Sequence, residues 1–329
     1  MFSRKTAALM AAAALTLTTV AACGDADDAE KGAQTAAGWP RTITHEAGET
    51  VVDAKPERIV STSLSVTGTL LAIDAPVTAT AVTAAAGGTT DENGFFAQWA
   101  EIAVERGVAP LYKVGEFDLE AVIAQDPDLI VVSTSGADSV MDQYDALSDV
   151  APTIVVNYGD QTWQDLAEEL GVATGLEAGA ANVVQEFDTL VEETAARIAI
   201  LAGTTASVVS YNPGDTSPVG KPTGPHAQLL MKLGFTVDEP PAEFDTSAQK
   251  REDFSFTSYE GLADSVTGDH VFLIIATDEK VEAFKADPTL ANVPAVRSDQ
   301  VHPLGLASFR MDPYSATEIV NWFGEAFAK

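Results

Sequence analysis

The chain has 329 residues, and its 18 Lys and Arg against 49 Asp and Glu give a formal net charge of −31 at pH 7. Such an acidic surface argues against nucleic-acid binding, which requires clustered basic residues, and against electrostatic docking on anionic lipid. The apolar content of 46 % is normal for a globular protein, and the length suits two domains of ordinary size.

The amino-terminal segment has the pattern of a secretory signal. Arg4 and Lys5 precede an apolar run over 7–20, and small residues stand before Cys23, the only cysteine. This looks like a lipobox, which predicts cleavage after residue 22 and a diacylglyceryl group on Cys23. A spanning helix is the alternative, but the run is shorter than the roughly 20 residues that one needs. We therefore predict a signal peptide (1–22), an acidic tether (23–38) and a lipid-anchored protein on the outer face of the cytoplasmic membrane.

Beyond the tether, strand-like and helix-like patterns alternate. Short β-branched runs predict strands at 58–62, 77–82, 128–133 and 153–156. Apolar spacing predicts helices at 66–73, 95–106, 119–125, 141–147 and 163–170. This alternation is typical of a mostly parallel sheet with helices on both faces, and it predicts a first ligand-binding lobe over 39–175.

A long helical pattern over 176–201 then separates two similar halves. Gly175 and Gly203 bracket it, so we predict a rigid linker helix over 176–202. A second alternation follows, with strands predicted at 207–211, 271–276 and 301–303 and helices at 227–233, 259–262, 281–285 and 314–327. The predicted fold is α/β: two Rossmann-like lobes, the second over 203–329, joined by one long helix.

Several strings of residues occur in the order found in a known family. They are PERIVS at 56–61, GFFAQW at 94–99, EFDLEAVIAQDPDLIVV at 116–132, APTIVVNY at 151–158, QLLMKLGF at 228–235 and FRMDPYSA at 309–316. The chain resembles the class III solute-binding proteins of ABC importers, which carry ferric siderophores, haem and cobalamin, and in particular the ferric-enterobactin type. The resemblance implies a monomeric receptor, without cofactor, that captures a ferric catecholate between its lobes and delivers it to a permease and its ATPase.

A ferric catecholate is anionic and aromatic, so its host needs cations and ring faces in one cleft. Arginine suits this because its planar fork pairs with catecholate oxygens while its face stacks on rings. Arg310 is the first candidate, followed by the Lys250 and Arg251 pair. Weaker candidates from neighbouring elements are Lys221, Tyr112, Lys113 and Trp99.

Two alternatives stay open at these positions. Lys250 and Arg251 precede Glu252 and Asp253, so a solvated loop of local ion pairs fits them equally. Trp99 lies on an amphipathic pattern, where a tryptophan is more often part of the core. Gly220 stands where the enterobactin type carries an aromatic residue, which leaves the exact siderophore open.

A second functional surface follows from the resemblance alone. In this family one glutamate near the tip of each lobe meets arginines of the permease, and the matching positions are Glu120 and Glu260. The alternative is an ordinary acidic residue in the first turn of a helix.

Other functional classes are less well supported by the residues. The motifs of serine hydrolases, P-loop proteins and zinc proteases are absent, so we do not expect an enzyme. The four histidines, at 45, 226, 270 and 302, are dispersed, which disfavours direct binding of a metal ion. A haem or corrinoid receptor on the same scaffold is the principal alternative, since a fold does not fix its ligand.

Overall fold

The computed structural model describes residues 38–247 and 250–328 and places their strands in one hairpin and two larger sheets. The strands are β1 (Arg41–His45), β2 (Gly48–Val52), β3 (Ile59–Ser61), β4 (Val77–Val82), β5 (Ala109–Lys113), β6 (Leu129–Ser133), β7 (Thr153–Val156), β8 (Thr205–Val209), β9 (Ser217–Gly220), β10 (Thr236–Val237), β11 (Phe254–Thr257), β12 (His270–Leu273) and β13 (Val301–Pro303). The α-helices are α1 (Leu64–Ala72), α2 (Ala97–Glu105), α3 (Leu119–Ile123), α4 (Tyr144–Ser148), α5 (Trp163–Thr174), α6 (Glu177–Arg197), α7 (Pro225–Lys232), α8 (Leu262–Ser265), α9 (Asp278–Ala286), α10 (Pro294–Arg297) and α11 (Pro313–Ala326). Within these described ranges, none of the helices is long and apolar enough to cross a membrane.

The first large sheet has the order β5-β4-β3-β6-β7, and all of its neighbouring strands are parallel. Every residue of β6 and β7 is buried, as expected for strands covered by helices on both faces. The carboxyl ends of parallel strands share one edge of a sheet. The loops that follow β6 and β7 therefore emerge side by side, and both contribute to the candidate site.

The second large sheet has the order β11-β9-β8-β12-β13, with β10 also paired to β8. Its strands β8, β10, β12 and β13 are parallel, whereas β9 runs antiparallel to β8 and β11 antiparallel to β9. The helix predicted at 259–262 is wrong: these residues begin as a turn, and α8 starts only at Leu262.

The helix between the two sheets, α6, is the longest of the described elements at 21 residues. Trp163 of α5 packs edge-to-face on Phe187 of α6, with ring centroids 5.0 Å apart. The helix ends at Arg197 because Ile198 has an extended backbone, so the helical pattern seen in the sequence continues past the real end of the helix.

The last helix, α11, packs against α6 and also approaches α1 and α2 of the first half. Asp312 caps its first turn by accepting the N–H groups of Tyr314 and Ser315, at 3.0 and 2.9 Å. At Gly68 of α1, an added Cβ would lie 2.7 Å from Asp312 Oδ2 and 2.8 Å from Trp99 Cδ1. Only glycine permits this close approach, so the first turn of α11 packs directly against α1 and α2 of the first lobe.

The amino-terminal hairpin is tied to the junction between α5 and α6. Arg41 Nη1 donates to the Val172 carbonyl at 2.7 Å and to the Glu177 carboxylate at 2.5 Å. The Trp39 ring lies against Gly175, where an added Cβ would be 3.0 Å from it. The first described residues are thereby fixed to the start of the linker helix.

Candidate ligand-binding site

Arg310 lies in the loop between β13 and α11, at the carboxyl end of a parallel strand. Its guanidinium carbon is 5.2 Å from the ring centroid of Tyr158 and 4.8 Å from that of Phe309. Among the described residues its Nε has no hydrogen-bond partner although the atom is buried, and no carboxylate lies within ion-pair distance. The guanidinium is therefore held by aromatic faces, and its charge is not neutralised by a neighbouring acid.

Tyr158 comes from the other half of the chain, two residues after β7. Its hydroxyl donates a hydrogen bond to Asp138 Oδ1 at 2.8 Å. Burial, and then the charge of Asp138, raise the pKa of Tyr158 to about 12, while Arg310 acts in the opposite direction. The contact between Tyr158 and Arg310 thus joins the first sheet to the second, and the phenol stays protonated at physiological pH.

Asp138 is only 7 % exposed and lies in the loop after β6. Its Oδ2 accepts the Ser63 hydroxyl at 2.7 Å and the Ser65 N–H at 2.9 Å, at the start of α1. A helix amino terminus favours a negative charge because its first N–H groups have no partner within the helix. Both oxygens of Asp138 are therefore occupied, one by α1 and the other by Tyr158.

The loop that carries Arg310 is fixed by hydrogen bonds to other parts of the second lobe. His226 Nε2 lies 2.6 Å from the Ser308 carbonyl, and the backbone N–H of Ile275 donates to Ser308 Oγ at 3.0 Å. Burial lowers the pKa of His226, which favours the neutral imidazole with its proton on Nε2. Ile275 has a φ of +49°, which is strained for a β-branched residue. These contacts fix the backbone two residues before Arg310.

The three other predicted cations of the second lobe all have partners. Arg251 forms a two-bond pair with Asp253, at 2.7 and 2.6 Å, and Lys250 pairs with Asp245 at 3.2 Å. Lys221 Nζ donates to the Arg251 carbonyl at 2.7 Å, so these two residues meet. The hydrogen bonds that Arg251 donates to Asp253 are the main cause that raises the pKa of Arg251. These three cations are therefore engaged within the second lobe, in contrast to Arg310.

Trp99 and Tyr112 are not available to a ligand, and their predicted role in binding is corrected. Trp99 is 1 % exposed and packs on Phe95 and Phe96, and Tyr112 is 8 % exposed and packs on Phe117. Their aromatic faces are used in the hydrophobic core of the first lobe. Lys113, by contrast, is exposed at the end of β5.

The two predicted docking glutamates are both exposed. Glu120 lies in the first turn of α3, and Glu260 lies in the turn between β11 and α8. The residue before Glu260, Tyr259, donates its hydroxyl to Asp287 at 2.9 Å, which fixes this turn to the body of the second lobe. Cys23, with the predicted signal peptide and most of the tether, lies outside the described residues.

The histidines do not converge on a common site. His45 contacts Thr50, His226 is buried behind the Arg310 loop, and His270 and His302 lie 3.1 Å apart, Nδ1 to Nε2, among aromatic rings of the second lobe. Across residues 38–247 and 250–328, no three His, Cys, Asp or Glu side chains are placed to hold a metal ion.

Tyr158 and Asp138 are the site residues that the sequence reasoning missed. Each follows closely on a fully buried strand, and loops at the carboxyl ends of parallel strands are the usual ligand sites of open α/β sheets. The position of Tyr158 and Asp138 just after buried parallel strands is therefore the feature of the sequence that could have identified them.

A model of the family described as "Periplasmic binding protein" matches residues 59–305, which is more than half of the chain. The chain belongs to this family. This periplasmic binding protein is 39 % identical over 288 residues to the ferric enterobactin-binding periplasmic protein FepB of Escherichia coli O6:H1, a match that covers 87 % of the chain and 90 % of FepB. The predicted family is confirmed.

Solved structures agree with the fold. Holo-ViuP superposes with a TM-score of 0.81 at 42 % identity, covering 88 % of this chain and 96 % of ViuP. A periplasmic solute-binding protein of Mycobacterium smegmatis has a TM-score of 0.70 at 21 % identity, covering 86 % and 96 %. The predicted class III fold, with two α/β lobes of mostly parallel sheets, is confirmed.

Proposed function

We propose that this periplasmic binding protein captures a ferric catecholate of the enterobactin class between its lobes and delivers it to the permease of an ABC importer. The observation that carries the proposal is the Arg310 guanidinium, which is held between the rings of Tyr158 and Phe309 without a carboxylate partner among the described residues. The 39 % identity to FepB, which is named for binding ferric enterobactin, supports the same ligand class.

The chemistry of the ligand matches this arrangement. A ferric tris-catecholate carries a net negative charge, and the general field of a protein with net charge −31 repels it. Binding therefore requires a place where a cation remains available, and Arg310 supplies one together with N–H groups for catecholate oxygens. Arg251, Lys250 and Lys221 add positive charge from a neighbouring loop, although each already has a partner.

Gly220 bears on the identity of the siderophore. It lies in β9 against Val208, where an added Cβ would be 3.1 Å from the Val208 Cβ. An aromatic side chain does not fit there without movement of the strand, so a stacking platform at this position is not part of the proposed site. A tri-catecholate related to enterobactin fits the proposal as well as enterobactin itself.

We further propose that the receptor acts as a lipid-anchored monomer on the outer face of the cytoplasmic membrane, held by Cys23. The signal-like pattern before Cys23 and the acidic residues after it support this proposal. Glu120 and Glu260 are the proposed contacts with the permease. Their exposure and their positions on separate lobes are compatible with that role.

The test of the ligand is a titration of intrinsic tryptophan fluorescence. We expect saturable quenching by ferric enterobactin at submicromolar concentration and none by haemin, cyanocobalamin or a ferric hydroxamate. The change Arg310→Ala should weaken binding by roughly 1.5–3 kcal/mol, the scale of hydrogen bonds to a charged group. The matched control is Arg297→Ala, because Arg297 is exposed and precedes β13, at the opposite end of the strand from Arg310.

Saturation by haemin or cobalamin alone would replace the catecholate with the haem or corrinoid alternative. Equal affinities of the Arg310→Ala and Arg297→Ala variants would place the ligand elsewhere.

A further inference from the structure

We propose that Tyr158 and Asp138 are positioning residues that keep Arg310 unpaired and oriented for its ligand: Asp138 fixes Tyr158, and the Tyr158 ring holds the guanidinium. This inference rests on the proposed function, because it assumes that Arg310 contacts the ligand. It assigns a role to two residues of the first lobe that do not themselves carry the positive charge.

In a chain this acidic, an arginine side chain is easily neutralised by a neighbouring carboxylate. The chain has 49 acidic residues and 18 basic ones, so a free arginine readily meets a carboxylate. Arg251, Arg58, Arg106 and Arg41 each form an ion pair with a nearby Asp or Glu. Arg310 differs from these four, because rings of Tyr158 and Phe309 flank it instead. An aromatic face attracts the guanidinium without neutralising it and leaves its N–H edge free.

In the described part of the chain, Asp138 is linked to Arg310 only through Tyr158, and the two form no ion pair. Its two oxygens accept three hydrogen bonds, from Ser63 Oγ, the Ser65 N–H and the Tyr158 hydroxyl. The Tyr158 side chain contacts both groups, since its hydroxyl bonds to this carboxylate and its ring contacts the guanidinium. It acts as a neutral spacer, since its hydroxyl faces Asp138 and its ring faces Arg310.

The direction of the Tyr158 hydroxyl bond has a consequence for recognition. A phenol has one proton, and here it is donated to Asp138 at 2.8 Å. Catecholate oxygens are acceptors, so this hydroxyl has no donor left for them. Its ring, through Arg310, is the part that affects binding.

Gly136 shows how closely the loop fits around this pair. Its φ is +79°, and an added Cβ would overlap the Tyr158 hydroxyl and lie 2.8 Å from Asp138 Oδ1. A side chain at this position would displace the phenol from the carboxylate. The loop after β6 therefore closes over the hydrogen bond and limits the Tyr158 ring to one orientation.

The test is the affinity of the full chain for ferric enterobactin in variants of Tyr158 and Asp138 and in one control variant. Tyr158→Phe removes only the hydrogen bond to the Asp138 carboxylate and keeps the ring against the guanidinium, so we expect at most about a threefold loss. Tyr158→Met removes the ring and frees Asp138 to pair with Arg310, and we expect a loss of about five- to thirtyfold. The double variant Tyr158→Met with Asp138→Asn should recover most of that loss, because the competing carboxylate is gone. Tyr144→Leu is the control, since Tyr144 belongs to the first lobe and its ring packs on His45.

Recovery in the double variant is the decisive readout, because a merely structural role would make the two changes add to the damage. The proposal is overturned if Tyr158→Met binds like the wild type, if Tyr158→Phe loses as much as Tyr158→Met, or if Asp138→Asn gives no recovery. Tyr158→Leu serves as a second ring-free variant, and melting temperatures identify which variants are folded. Absence of binding by the wild type would instead refute the proposed function itself.

Discussion

The side-chain amide of Gln98 donates a hydrogen bond of 2.9 Å to the buried carboxylate of Asp312, and so joins α2 of the first lobe to the start of α11. Burial raises the pKa of Asp312 to about 6, although the N–H groups of Ser315 and Tyr314 and the Gln98 amide favour the ionised form. The folded state therefore holds a proton on Asp312 over a pH range in which the unfolded chain has released it.

The first prediction concerns this carboxylate. Stability contributed by protonated Asp312 should be present below pH 4 and be lost as the pH rises through about 6, by an amount on the order of 2–3 kcal/mol. Melting temperatures of the wild type and of Asp312→Asn, measured from pH 4 to 8, isolate this contribution. The difference between the two should decrease mainly between about pH 4 and 6 and be nearly constant above pH 6. A difference that is constant across the range contradicts the prediction.

The second prediction concerns the histidine pair of the second lobe and has the opposite sign. Burial, and then the neighbouring His270, lower the pKa of His302 to about 4, with Asp299 opposing the shift. The unfolded chain therefore binds a proton between pH 6.5 and 4 that the folded protein does not. Stability from neutral His302 should be complete above pH 6.5 and be lost as the pH falls toward 4.

The measurement is thermal unfolding of the wild type and of His302→Gln over the same pH series. The variant should lose less stability than the wild type between pH 6.5 and 4. Parallel curves would show that His302 titrates in the folded protein as it does in the unfolded chain.

The third prediction tests the close approach at Gly68. In Gly68→Ala the new methyl group would lie against Asp312 Oδ2 and Trp99 Cδ1, two buried side chains that are fixed by their own contacts. Alanine favours the helix, but the overlap should dominate and destabilise the protein by about 1–3 kcal/mol in urea unfolding. Gly87→Ala is the control, because no atom lies within 4 Å of its added Cβ. Equal midpoints for the two variants would mean that α11 moves aside freely.

The fourth prediction concerns delivery to the permease. Glu120→Gln and Glu260→Gln should leave siderophore affinity unchanged, while ligand-stimulated ATPase activity with the importer in proteoliposomes should fall roughly tenfold for the pair. Glu101→Gln removes an exposed charge from α2 and serves as the control. An unchanged rate in the double variant would remove both glutamates from the docking surface.

The fifth prediction concerns Cys23. Cys23→Ser should abolish acylation and move the protein from the membrane fraction to the soluble extracellular or periplasmic fraction, because the acyl chains supply the proposed attachment. Detergent phase partitioning measures this directly. A Cys23→Ser variant that still partitions with the membrane would refute the lipid anchor.

The alternating elements were predictable because buried parallel strands such as β6 and β7 are continuous apolar runs. Strands β5 and β9 were missed because each contains proline, which suits an edge or an irregular strand but masks its pattern. The apolar pattern also does not predict the end of α6, because the sequence stays apolar after Arg197 although the backbone becomes extended at Ile198.

Within the site, the sequence indicated which residue types could bind the ligand, but it did not indicate which of them are already paired with other side chains. Arg310 was selected because an arginine can stack on aromatic rings, and in the structure its guanidinium lies against the Tyr158 ring. Arg251 is the same residue type, but it is paired with Asp253, and this pairing depends on the conformation of the loop. The predicted contact of Trp99 with the ligand was wrong, because an amphipathic pattern does not indicate which aromatic residue faces the cleft and which faces the core. Tyr158 was missed because its role depends on a contact across 152 positions of sequence.

The fastening of Arg41 to Val172 and Glu177 has a mechanical consequence. Trp39 and Arg41 contact the fold where α5 meets α6, so a force applied at residue 38 acts on this junction. The same hairpin also bonds to the first sheet, where the Glu46 N–H donates to the Val155 carbonyl at 3.0 Å and the Thr50 hydroxyl donates to the Thr153 carbonyl at 2.8 Å. A force on the hairpin is therefore shared between the helix junction and β7, the strand that leads to Tyr158.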